Sequence, residues 1–176
     1  IPIDARKATR DKWISNEQIT DQLNLIQAQH ILVIADSCYS GSMSDLAILH
    51  PRPGMSQSVL REMMAALVTK RSRTVLTSGG LTPVFDSGGG DYSVFAEALL
   101  QVLSENEDIL VGKDLYSEVS PRVSLKTQRL FGKRQEPDYG ALHRAGHSAG
   151  DFFLVPNTFL AKLGRNSASD PPHPKK

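Results

Sequence analysis

The chain has 176 residues, 40% hydrophobic and 22% charged, which suits one globular domain with a proper core and leaves no need for a second. A formal net charge of +1 removes the electrostatic case for nucleic acid or an anionic membrane as partner, and no apolar run approaches the ~18 residues that span a bilayer. The N-terminus lacks the form of a signal peptide, and one cysteine excludes an intrachain disulfide framework and a multi-cysteine metal site, which suits a reducing, cytoplasmic compartment.

The chain opens on IPIDAR, without methionine or polar lead-in, and reads as though it starts inside a folded segment, with residues 1–3 closing a short strand. Ser15-Asn-Glu-Gln18 has the form of a capping box. Ile19, Leu23 and Ile26 then share one helical face, which predicts a helix over 16–29. Residues 30–36 form a continuous apolar run rich in β-branched residues, the profile of a strand buried on both faces. Gly41, Ser42 and Ser44 break that pattern, and HPRPG at 50–54 is a loop.

Ser56 or Ser58 opens a second helix to about residue 70, with Val59, Met63, Ala66 and Leu67 on its buried side. Residues 73–78 (RTVLTS) are the next strand, and 79–90 a glycine-rich loop that lacks the G-x-x-x-x-G-K-[ST] phosphate cradle and reads as a substrate-binding loop. Asp91 or Ser93 caps a third helix ending near 103, and a fourth covers 114–127, with Pro121 expected to kink or divide it. Residues 126–140 read as polar and irregular, 151–155 (DFFLV) as a last strand, and 157–176 as a disordered tail. Strands alternating with helices predict an α/β layered fold with a mostly parallel sheet over residues 1–156. Three clear strands are few for such a fold, which suggests N-terminal strands beyond the given sequence.

Cys38 falls just past the carboxyl end of the first apolar strand, before a Ser/Gly turn, where open α/β sheets collect functional groups. A thiol there, with turn N–H groups nearby, suits acyl transfer; the competing reading is a buried core cysteine. Asp36-Ser-Cys38-Tyr-Ser-Gly41 resembles the nucleophile motif of the caspase–metacaspase superfamily of cysteine peptidases, in its metacaspase and bacterial forms. Ile1-Pro-Ile-Asp4-Ala5, Leu76-Thr-Ser-Gly-Gly80, Tyr92-Ser-Val-Phe-Ala96 and Ala145-Gly-His-Ser-Ala-Gly-Asp-Phe-Phe153 are similar to further landmarks of the family, in the same order.

The resemblance implies a three-layer αβα caspase-like fold and a cysteine endopeptidase acting on protein or peptide substrates. Cys38 is then the nucleophile, and its backbone N–H helps form the oxyanion hole. Metacaspases receive Arg or Lys with acids around the cysteine, which implies Asp36 in the primary pocket. Asp36 also has a plainer reading, a carboxylate satisfied by N–H groups of the turn. Metacaspases carry a second acid in Ser-Gly-Cys-x-Asp, whereas this chain has Ser78-Gly79-Gly80 and no acid until Asp86, the better candidate, with Asp91 weaker because it doubles as a helix cap. The arginines with which animal caspases receive Asp have no match here. Calcium activation, known in some metacaspases, finds no carboxylate cluster, and no cofactor is expected.

The family's base is a histidine, usually in a His-Gly pair, and the chain has no such pair. His30 lies at the opposite end of the strand from Cys38, roughly 20 Å away along extended chain. His50 reads as a turn residue, His143 and His147 as loop or structural residues, and His173 as part of the tail. The base is therefore expected on a segment preceding Ile1, which is then a partner of this chain. The alternatives are a catalytically silent caspase-like interaction module and, more weakly, another α/β hydrolase, for which the G-x-[SC]-x-G elbow is missing.

Overall fold

Ser15, the first described residue, is an N-cap: its hydroxyl accepts from the Gln18 N–H at 3.1 Å, and the Gln18 side chain accepts from the Ser15 N–H at 2.8 Å. This capping box starts α1 (Asn16–Leu25) in a computed structural model that describes residues 15–38, 43–44, 56–79 and 91–157. The expected strand at 1–3, the loop at 79–90 beyond Gly79 and the tail beyond Asn157 lie outside the described residues.

The remaining elements are β1 (His30–Cys38), β2 (Met43–Ser44), α2 (Gln57–Thr69), β3 (Ser72–Gly79), α3 (Val94–Glu105), β4 (Leu110–Val111), α4 (Gly112–Phe131), β5 (Asp138–Leu142) and β6 (Phe153–Leu154). The main sheet has the order β1-β3-β5-β2, while β4 and β6 pair antiparallel in a small second sheet. The architecture is mixed α/β.

The sheet is mixed rather than mostly parallel. Only the β1–β3 pairing is parallel; β5 runs antiparallel to β3 and to β2. The reason lies in the connection. Between β3 and β5 the chain makes two helices, α3 and α4, which lie antiparallel with Glu97 against Lys126 and Glu105 against Arg122. One helix returns a chain to the start of the sheet; two bring it back to the end it left, so β5 must run the other way.

Side chains alternate across the strands and feed two apolar clusters. Leu76 of β3 meets Phe95 and Ala98 of α3, Leu115, Val119 and Val123 of α4, and Tyr139 of β5. Its neighbour Val75 faces the other way, with Leu23 of α1, Leu142 and Ala145, against Ile31 and Val33. Helical residues therefore supply apolar side chains to both faces of the sheet.

Several boundaries depart from the sequence expectation. Helix α1 stops at Leu25, not near 29, because the carbonyls of Ile26, Ala28 and Gln29 turn to the buried guanidinium of Arg73. Helix α4 runs through Pro121 to Phe131 and ends on Gly132, whose φ of 67° supplies the left-handed cap. Residues 126–140 are accordingly not irregular: they hold the last turn of α4 and the first half of β5.

Burial is also redistributed. The apolar strand β1 is an edge among the described residues, with Ile34 44% exposed, whereas the half-polar β3 is buried at all eight positions. Among the described side chains of α2 only Leu67 is buried; Val59 and Ala66, expected inside, are exposed.

Candidate functional site

The carboxyl ends of β1 and β3 converge at one place. Ala35 pairs with Thr77 and Cys38 with Gly79, so β1 takes three steps where β3 takes two. The extra residue is a β-bulge at Asp36–Ser37, immediately before the cysteine. Such bulges re-aim side chains at strand ends and are over-represented next to active sites. The backbone of Cys38 closes the strand; its side chain lies outside the described residues.

Asp36 is exposed and held from one side. Its Oδ2 accepts from the Ser93 hydroxyl at 2.5 Å, and Ser93 Oγ accepts from the Ala96 N–H at 2.9 Å as N-cap of α3. The carboxylate thus sits beside the positive end of α3, through a short charge-assisted bond. A serine at the N-cap of α3 anchors it, while the turn that follows Cys38 lies outside the described residues. Asp36 is exposed, and the bond from Ser93 engages Oδ2 alone.

Ser93, not Asp91, caps α3. Asp91 is exposed two residues before the cap, so a capping role does not account for it. Asp86, the other expected acid, lies outside the described residues, as do His50 and His173.

The three described histidines all lie at the far end of the sheet. His30 opens β1, with its ring edge-on to Phe153 at 5.6 Å, and eight residue steps separate it from Cys38, about 26 Å of extended strand. His147 Nδ1 accepts from the Arg73 N–H at 3.2 Å, at the beginning of β3. His143 directly follows β5, whose Ala141 pairs with Thr74 near that same beginning. None of them can reach a group on Cys38.

Behind the strand ends lies a buried polar support that no sequence pattern marked. Gln135 Nε2 donates to Ser78 O at 2.7 Å, and Thr77 Oγ1 donates to Gly79 O at 3.3 Å. The fully buried Ser78 hydroxyl has no hydrogen-bond partner among the described residues. A glutamine in a polar stretch carries no periodicity to reveal it; only the packing of α4 and β5 puts it inside.

A second buried network lies on the α4 side. Asp151 accepts from Tyr139 Oη, from the Phe152 N–H at 2.7 Å and from the Lys113 N–H at 3.1 Å. It caps the amino end of α4 from a distant loop. Burial raises its carboxyl above the usual range, against the pull of those three donors, and burial first, then Asp151, raises the Tyr139 phenol. It supports the fold and is separate from the Cys38 end.

Among the described residues no group of three or more His, Cys, Asp or Glu side chains could hold a metal ion, and no helix is long and apolar enough to cross a membrane. No family model matches the chain, and comparison with curated proteins and with solved structures finds no match either. The residues and their placement carry the functional reading.

Proposed function

We propose that the chain is the cysteine-bearing part of a caspase-like endopeptidase that cleaves after Arg or Lys, with a three-layer αβα arrangement. The observation that supports it most is the bulged end of β1, where the chain's one cysteine follows an exposed, anchored carboxylate by two residues. In this reading Cys38 attacks the scissile carbonyl as thiolate. Its own N–H donates to the oxyanion; the C–N bond then breaks, the amine leaves with a proton from the histidine base, and water hydrolyses the thioester to release the carboxylate and restore the thiol. Asp36 receives the substrate guanidinium or ammonium on Oδ1 while Ser93 holds Oδ2, and Asp86 is the candidate for the second acid.

The base is a histidine carried by sequence that precedes Ile1. The outer edge of β1 has no partner among the described residues. A strand added there, at the usual spacing of about 4.8 Å, would end beside Cys38. The placement of His30, His143 and His147 at the far end favours the second reading, a silent caspase-like interaction module, if no such segment joins.

The test is cleavage of Arg and Lys reporter peptides by the full-length protein. Cys38→Ala is expected to abolish it, and undiminished cleavage by that variant sinks the assignment. A peptide-derived thiol-reactive probe that leaves Cys38 unlabelled in the full-length protein selects the silent module.

A further inference from the structure

The ladder between β3 and β5 stops one residue short of the candidate site. Thr77 pairs with Asp138, and continuing the register would set Ser78 opposite Pro137, which has no N–H to donate. The Gln135 side chain supplies the missing donor instead, bonding Ser78 O at 2.7 Å. The next residue, Gly79, pairs with Cys38. A glycine has no side chain to lock its backbone, so its position depends on what holds its neighbours.

Gln135 is itself held firmly. It is 1% exposed, and its backbone N–H donates to Thr127 Oγ1 at 2.9 Å. Thr127 is fully buried in α4 and donates back to Val123 O at 2.9 Å, so the anchor is a helix of 20 residues. Burying a carboxamide is costly unless it is bonded, and a leucine would fill the same space without that cost. A bonding role explains its presence better than packing does.

We propose that Gln135 is a positioning residue for Cys38: anchored to α4 through Thr127, it fixes the Ser78–Gly79 end of β3 and, through the Gly79–Cys38 pairing, the end of β1. This rests on the reading of Cys38 as nucleophile. Gln135 touches no substrate; it acts by keeping the strand end that presents the thiol from shifting.

Alkylation by iodoacetamide, followed by mass mapping of the peptide that carries Cys38, the one cysteine of these 176 residues, reports that thiol. Gln135→Leu and Thr127→Val are compared with Val123→Ala, a core lesion in α4 that keeps the backbone carbonyl to which Thr127 donates. Gln135→Leu is expected to change the alkylation rate at least about threefold and to lower kcat on an Arg reporter about tenfold, with KM held within about twofold. Thr127→Val moves both in the same direction by less, while Val123→Ala lowers the thermal midpoint and moves neither. Folded Gln135→Leu and Thr127→Val proteins with the wild-type alkylation rate overturn the proposal, as does a Val123→Ala effect of equal size. If Gln135→Leu does not fold, Thr127→Val decides alone. Wild-type protein without cleavage but with the alkylation coupling overturns the peptidase reading only; cleavage with unmoved alkylation overturns the positioning role only.

Discussion

Arg73 is the most consequential side chain outside the candidate site, and removing it tests how the sheet is anchored. Its guanidinium is fully buried and faces carbonyls only: Ser72 and Ala28 at 2.8 Å, Ile26 at 3.1 Å and Gln29 at 3.2 Å. Three of these belong to the link between α1 and β1. Burial, then the neighbouring Arg71, pulls its pKa down from the usual arginine value, yet a guanidinium remains charged. Charge-assisted bonds are worth roughly 1.5 kcal/mol each at the lower end; counting the two shorter ones fully and the longer two by half gives about 4.5 kcal/mol. Methionine at this position returns about 1 kcal/mol of the cation's desolvation, so Arg73→Met is expected to cost about 3–4 kcal/mol. At a urea dependence of about 2 kcal/mol per molar, the unfolding midpoint falls by roughly 1.5–2 M. Arg73→Lys, a point charge that cannot span four carbonyls, recovers only part of this. A loss below about 1 kcal/mol in Arg73→Met would refute the reasoning, because water would then be serving those carbonyls equally well.

Ser93→Ala removes both the α3 cap and the anchor of Asp36, with an expected loss of about 1–2 kcal/mol in urea unfolding, which Ser93→Thr avoids. Equal loss in both variants speaks against the hydroxyl as the cause. The raised Asp151 carboxyl keeps its proton in the native state after the unfolded chain has released its own near pH ~3.9, so stability falls as pH rises from there through the native value. Asp151→Asn cannot ionise and should flatten that fall, while its amide, facing the Lys113 N–H, lowers stability at the acid end; an unchanged slope rules out Asp151 as the source. Gly150→Ala places a Cβ 2.5 Å from the Lys70 carbonyl oxygen and 3.0 Å from its carbon. Backbone cannot yield as a side chain does, so a loss of about 1–3 kcal/mol is expected in thermal melts, and an unmoved midpoint contradicts the close approach.

The local signals were legible where one segment carried them whole. The Ser15–Gln18 box and the core of β3 follow from side chains within a few residues of one another, while the caps of α2 and α3 were each narrowed to two candidates, of which the structure takes Ser56 and Ser93. β5 was not legible: DYGAL has two poor strand formers in five residues, and it becomes a strand because β3 offers a partner. The burial of β1 was misjudged for the complementary reason. An apolar run states a preference for burial, but exposure depends on which strands flank it, and among the described residues β1 has β3 alone. The bulge before Cys38 was likewise invisible, since it exists only as a mismatch of count between two strands.

By itself the sequence determined the four helices, the strands β1, β3 and β6, the place of Cys38 at the end of an apolar strand, and the lack of a His-Gly pair. These are short-range matters of periodicity, capping and composition. Only the tertiary structure decided that β5 runs antiparallel, that Ser93 holds Asp36, that Gln135 stands in for a proline's missing N–H, and that His143 and His147 lie at the wrong end of the sheet. Each of these joins residues dozens of positions apart or turns on the direction in which a strand returns. Such contacts are set by how two helices and a sheet pack together, and that information is held by no single stretch of chain.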